Sequence, residues 1–364
     1  MLKPFRRPRW PLPITAVDSI PLAVEHTRRQ LFKPFRIGQW TRLAFVGLLA
    51  GELGFNGCDR SNFQFPSHPG GGPHPHFPAS LGIDPALLAA LIAAFVIAAL
   101  AIGIILMYVG SVMRFVLFDG IIAKECHIRW RWYHRLVPGW RYFVWRLFYL
   151  LLTMVCILVL VGIPLAFAFA NGWFREPKEH LSALVFGGII LVLELLVFAV
   201  VTAVILVLTK DFVVPQMALE DIDVMEGWRR LWPMMQAEKE AYAAYVGVKI
   251  GLALVASVLL AIATLILGLI IAIPSIGLGV VAVLTGKTAG LTWNANMIAL
   301  AVVIGCILLA IFLYLVSLIY VPAIVFFPAY SIYFFASRYP PLMAALNPGT
   351  PAPQFAPGAA SPSL

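Results

Sequence analysis

The sequence predicts an all-α, polytopic transmembrane helix bundle, and three observations predict it. The chain is 61% hydrophobic and only 12% charged, whereas a soluble domain keeps about a quarter of its residues charged. Five apolar runs each exceed the roughly 20 residues that cross a bilayer. None of them alternates with the two-residue period of a barrel strand, and backbone in hydrocarbon must pair internally, so the runs are helices.

Taken in order, residues 1–42 form a basic region at the cytoplasmic surface or interface. It contains Thr27-Arg28-Arg29-Gln30-Leu31-Phe32-Lys33, which has the look of a twin-arginine export signal. Arg36 and Arg42 interrupt the following stretch, however, Glu52 lies within it, and no small-residue cleavage site follows. The arginine pair is therefore read as an interfacial anchor. The run 43–55 is short, and hydropathy alone does not decide whether it crosses. Residues 56–84 are rich in Gly, Pro and His and read as an external loop without regular structure.

The five long runs are 85–113, 143–170, 181–209, 242–273 and 297–321. Gly162-Ile163-Pro164 and Ile273-Pro274-Ser275 mark kinks or helix ends. The run 276–284 is too short to span and reads as a surface or re-entrant piece. Residues 338–364, with Pro-Pro and Asn-Pro-Gly-Thr-Pro-Ala-Pro, read as a disordered tail. The membrane domain is thus 43–337.

Charge settles the number of passes. If 43–55 crosses, 21 of the 26 Lys and Arg residues fall on the side of the two termini and the segments 114–142 and 210–241, with Arg146 counted at its helix mouth. If it does not, the split is 13 against 12, without Lys249. The positive-inside rule selects about six crossings with both termini cytoplasmic. The net charge of +9 is then explained by loops facing the anionic headgroups of membrane lipids, and nucleic acid is not an expected partner.

A parallel repeat lies in the same segments. Trp40-Thr41-Arg42-Leu43, Trp132-Tyr133-His134-Arg135-Leu136 and Trp228-Arg229-Arg230-Leu231 recur at spacings of 92 and 96 residues. Arg114-Phe115-Val116-Leu117-Phe118-Asp119 precedes the second, Lys210-Asp211-Phe212-Val213-Val214-Pro215 precedes the third, and Val325-Phe326-Phe327-Pro328 is a fainter copy. The unit is one helix in, an amphipathic cytoplasmic segment and one helix out, in the same orientation each time. The last crossing and the first are expected to close a third hairpin in space. The predicted headgroup anchors are Trp40, Arg42, Trp132, Arg135, Trp228, Arg229 and Arg230: indole sits at headgroup depth and guanidinium reaches phosphate.

The string Asp211-Phe212-Val213-Val214-Pro215-Gln216-Met217-Ala218-Leu219-Glu220 with Gly227-Trp228-Arg229-Arg230-Leu231 resembles the membrane domain associated with bacterial glycerophosphoryl diester phosphodiesterases. Arg114–Asp119 with Trp145-Arg146-Leu147 fits the same pattern, and the resemblance spans roughly residues 30–337. It implies a six-helix protein of the bacterial cytoplasmic (inner) membrane. It brings no active site: that chemistry belongs to a separate soluble barrel with a His-Arg motif and acidic metal ligands. His134-Arg135 is followed by Leu136, not by glycine.

Few residues suggest chemistry. Glu194 stands mid-way along an apolar run, where an ionised carboxylate is costly, and Lys249 lies about two turns into the next run; the two are expected to pair. His68, His74 and His76, with Cys58 or Asp59 nearby, offer soft and imidazole ligands but sit in flexible Pro/Gly-rich sequence, so no metal is assigned. Glu220-Asp221-Ile222-Asp223 and Glu226 ahead of Arg229 and Arg230 read as the acidic start of an amphipathic helix. The four cysteines are far apart without a CxxC pair and define no disulfide framework. There is no Walker loop, HExxH, GxSxG or helix-opening GxGxxG. The expected function is that of a non-enzymatic membrane protein without cofactor: a scaffold, assembly or accessory subunit. The alternative is a transporter or lipid-handling protein with a pathway near Glu194.

Overall fold

A computed structural model describes residues 13–33, 35–52, 85–123, 128–174, 180–288 and 295–346. The regular structure among them is helical throughout. In order these are α1 (Ser19–Phe32), α2 (Ile37–Ala50), α3 (Pro85–Ala123), α4 (Ile128–His134), α5 (Leu136–Ala170) and α6 (Leu181–Leu208). A π turn (Thr209–Val213) then leads through α7 (Val214–Glu220) and α8 (Val224–Ala237) to α9 (Lys239–Thr288), α10 (Ala295–Ala336) and α11 (Pro340–Leu346).

Among the described residues, five helices are long and apolar enough to cross a membrane: Ala86–Ala123, Leu136–Ala170, Leu181–Glu220, Lys239–Val281 and Ala299–Ala336. Each has two unlike halves. One half is mostly exposed, with large side chains open from Leu87 to Leu106, Phe148 to Phe169, Leu181 to Val201, Ile250 to Leu284 and Leu300 to Tyr314, and α9 touches α10 there through Gly268 and Phe312. About 20 residues at 1.5 Å each is roughly 30 Å, the thickness of the hydrocarbon layer. The other half packs into one buried core with α1, α2 and α7, built from residues such as Phe115, Ile121, Phe212, Met217, Tyr245, Val325, Phe334 and Phe335.

Around this core the long helices neighbour one another in the order α6, α5, α3, α2, α10, α9. The π turn packs back on α10, which closes the row at the packed end. The expected third hairpin is present: α10 packs against both α1 and α2. His26 helps to fix α1 there. Its Nε2–H donates to the Ile121 carbonyl at 3.2 Å, which leaves Nδ1 to accept the Tyr333 hydroxyl at 3.1 Å.

Three boundaries differ from the sequence expectation. The described part of the proposed crossing at 43–55 belongs to a 14-residue helix that begins at Ile37, about 21 Å long. It stops because Gly51 takes the left-handed conformation (φ 78°) and bonds back to Gly47 and Leu48. Residues 53–55 and the rest of the loop to 84 lie outside the described residues, as do Cys58, Asp59, His68, His74 and His76. The second difference is α9, which runs through Pro274 to Thr288 as one helix of 50 residues. Beside the proline, the Ser275 hydroxyl donates to the Ile271 carbonyl at 2.6 Å; the carbonyl that loses its ladder donor to Pro274 is that of Ile270.

Third, the C-terminal segment is ordered to Leu346. Arg338 donates from Nε to Glu238 at 2.8 Å and from Nη1 to the Ile14 and Phe334 carbonyls at 3.0 Å, with its guanidinium 4.0 Å above the Phe334 ring. Tyr339 bonds Glu220, and Leu342 is fully buried. Ending the chain after Leu346 should therefore leave the thermal midpoint of the purified protein unchanged, while ending it after Ser337 should lower stability by about 3 kcal/mol or more, the scale of a buried charge network lost together with a buried leucine. Equal midpoints for the two truncations would contradict this packing.

Candidate functional site

The buried charges gather where the packed half meets the exposed half. They come from five elements: Glu52 just after α2, Arg114 on α3, Tyr142 on α5, Lys210 and Asp211 in the π turn, and Tyr245 and Lys249 on α9. The π turn explains why two adjacent charges serve different partners. The Val214 N–H bonds to the Thr209 carbonyl five residues back, and this wider turn shifts the register of the side chains relative to the α-helix before it. Lys210 pairs with Glu52, while Asp211 pairs with Lys249. Asp211, 2% exposed, also accepts the Tyr245 hydroxyl at 2.9 Å.

Arg114 has a different counterpart. Its Nη2 donates to the Ala50 carbonyl at 2.7 Å, so the guanidinium sits on the C-terminus of α2, where unpaired carbonyls carry partial negative charge. Its Nη1 reaches Tyr142 at 3.4 Å. The cluster holds three cations and two carboxylates, and the end of α2 makes up the balance. Beside it lies a cavity of about 30 Å³ touched by Glu52, Arg114, Lys210, Asp211, Pro328 and Ser331. That volume admits about two waters and no substrate. Chemically the arrangement is a lock between hairpins.

The expected Glu194–Lys249 pair does not form. Lys249 lies ten residues from the start of α9, at the depth of Asp211, whereas Glu194 lies 17 residues before Asp211 along the same rod, about 25 Å away. The adjacency of α6 and α9 in sequence also fails to make them packed neighbours along their apolar halves. Glu194 is exposed among Leu193, Leu196 and Val197. The partner that sequence reading missed, Asp211, stood inside the repeat motif, where it was taken as pattern rather than as charge.

The anchors are also redistributed. Trp40, Trp132 and Trp228 are half-buried against the core. The Trp40 indole N–H donates to the Leu31 carbonyl at 3.0 Å and that of Trp228 to the Thr209 hydroxyl at 3.1 Å. The polar edges of these two indoles are thus satisfied inside the fold. Arg135 likewise turns inward, holding Asp119 through Nε and Nη2 at 2.8 Å each and the Ala218 carbonyl through Nη1 at 2.6 Å. The open indoles are instead Trp130, Trp140 and Trp232.

Arg42 is exposed. On α8, Arg229 is 80% exposed and pairs with Glu226, and Arg230 pairs with both Glu220 and Glu226. The Arg230 hydrogen bond, followed by that from Arg229, holds the Glu226 carboxyl below its usual range. Its small contribution is therefore present above about pH 4.5 and fades as the carboxyl protonates at lower pH. The acidic run starts α8 as expected, with Asp223 at the N-cap position although its side chain makes no capping bond. Asp221 and Asp223 face Arg141 of α5 at 3.5 and 3.2 Å.

The better repeat is Gly139-Trp140-Arg141 with Gly227-Trp228-Arg229. In both, the glycine lets its helix lie against a valine of the preceding long element: a Cβ would come within 2.6 Å of Val112 or Val213. The signal was the small residue before Trp-Arg rather than the Trp–Leu spacing.

No curated protein and no solved structure matches the chain. The model of a family of unknown function, DUF7544, matches residues 14–344. With nearly its whole folded length covered, this membrane-spanning helical chain belongs to the DUF7544 family.

Proposed function

We propose that the protein is a non-enzymatic scaffold or accessory subunit of the bacterial cytoplasmic membrane, whose locked core presents the apolar halves of five helices for lateral contact with lipid and membrane partners. One observation supports this above the others. The most apolar stretch of each of the five spans has none of its residues buried within the chain. A transport route needs helices that wall off a path at bilayer depth, and polar groups that line it. Here Glu194 points away from any such enclosure, and the ionic groups are sealed in the core.

In this reading the packed end, with Arg42, Arg229 and Arg230, faces the inner leaflet. The resemblance to the phosphodiesterase-associated membrane domain fits, since that domain supplies membrane embedding rather than hydrolysis.

Purified protein in sealed vesicles tests the reading. Proton and ion leak should equal that of empty vesicles, and Glu194→Gln should change nothing. A flux that depends on Glu194 would replace the scaffold with the transporter. Orientation has its own check: in a variant with the native cysteines removed, Arg229→Cys should react with an impermeant maleimide only in inverted membranes. Reaction in intact cells would reverse the assignment of faces.

A further inference from the structure

A groove of about 620 Å³ opens at the packed end between the last turn of α3, α4, the start of α5 and the α7–α11 contact. Its volume is that of a small-molecule site. Five groups along it can carry charge: Asp119, Arg131, His134, Arg135 and Asp221. Four of these are already engaged. Arg135 and Asp119 form a two-point pair at 2.8 Å, Asp221 faces Arg141, and His134 lies against Trp130 with ring centres 4.4 Å apart.

Arg131 remains. Its Nη1 is buried yet has no hydrogen-bond partner among the described residues, and neither groove carboxylate pairs with it. A buried guanidinium N–H left unmade is expensive and calls for an explanation. The residue sits one helical turn from Arg135 on the same face, so the fixed Arg135–Asp119 pair supports the wall from which Arg131 projects. The groove therefore offers one uncompensated guanidinium, a planar fork suited to two oxygens of a tetrahedral anion. Beside it stand an exposed indole, Trp130, and an exposed apolar side chain, Val137.

We propose that this groove binds a phosphate group through Arg131, with the Trp130–His134 pair as the adjoining wall. The source that the surroundings fit is the phosphodiester of an anionic phospholipid: the groove exceeds a bare anion, and its rim carries the exposed apolar and aromatic side chains Val137 and Trp130. The lipid source rests on the proposed placement of this face at the inner leaflet. The binding chemistry does not.

The full chain, purified in a neutral detergent, is titrated separately with short-chain phosphatidylglycerol and with inorganic phosphate, following tryptophan fluorescence and the thermal midpoint. Wild type should bind the lipid saturably, Arg131→Gln should weaken it about tenfold or more, and Arg131→Lys should fall between, since lysine keeps the charge without the fork. Glu194→Gln, far from the groove, should match wild type. Because neither groove carboxylate pairs with Arg131, its variants should unfold at or above the wild-type midpoint without ligand. Saturable binding of inorganic phosphate alone, with the same Arg131 dependence, would support the anion site and assign the free ion as its source. Lipid and phosphate binding both absent, or both indifferent to Arg131→Gln, would overturn the proposal. Micelles have no sidedness, so a failed orientation test leaves this result standing, and the reverse holds as well.

Discussion

Asp211→Asn should lower the stability of the purified protein by about 3–5 kcal/mol, the scale seen when one partner of a buried ion pair is removed. The substitution keeps shape and leaves Lys249 as an uncompensated cation, 14% exposed, between α9 and the π turn. It also weakens the bond that Asp211 accepts from the buried Tyr245 hydroxyl at 2.9 Å. The comparison that isolates the pair is Asp211→Asn with Lys249→Met. Removing the cation together with its counter-ion takes away the unpaired charge, so the double variant should recover most of the loss and lie within about 1–2 kcal/mol of wild type. Thermal unfolding in one detergent, with all variants in parallel, reads the order. If Lys249→Met alone rescued nothing in the Asp211→Asn background, the lysine would not be the group that Asp211 neutralises.

That pair also shows what the sequence could and could not reveal. Apolar length located every long helix, because the requirement to satisfy backbone bonds in hydrocarbon acts on each segment separately. The closing of α10 onto α2 was legible too, since the motif around Val325–Pro328 repeats those before the other two turns. Depth was not legible. Reading 242–273 as the whole of the fourth run, rather than Lys239–Thr288, hides how far Lys249 lies from Glu194 in depth, and hydropathy carries no register between helices. The π turn was equally hidden, because it changes which way Lys210 and Asp211 face without altering composition.

The tryptophans illustrate a related point. A Trp–Arg pair near a span end is compatible with a headgroup and with a half-buried lid on a core. Only the position of a hydrogen-bond acceptor, the Leu31 carbonyl for Trp40 or the Thr209 hydroxyl for Trp228, separates the two. The end of α2 is a further case. There Gly51 stops the helix, a local signal to which neither hydropathy nor the charge count responds.

Phe212→Ala, set beside Phe95→Ala, tests where the packing free energy resides. Phe212 is fully buried and its ring meets those of Tyr242, Tyr245, Phe334 and Phe335 at 5.0–6.0 Å between centres. It sits in the π turn, so one side chain ties the second hairpin to α9 and α10. Truncating it opens a cavity among groups that cannot collapse without moving three helices, and the expected loss is about 3–5 kcal/mol. Phe95 is 75% exposed on the apolar half of α3. There the side chain leaves lipid contact for lipid contact, so its truncation should alter stability by less than about 1 kcal/mol, the range of substitutions away from packed features. The same chemical change on one protein thus reports two environments. A loss for Phe95→Ala equal to that for Phe212→Ala would mean that the apolar halves are packed against something in the purified state, and the splayed arrangement on which the scaffold reading depends would have to be abandoned.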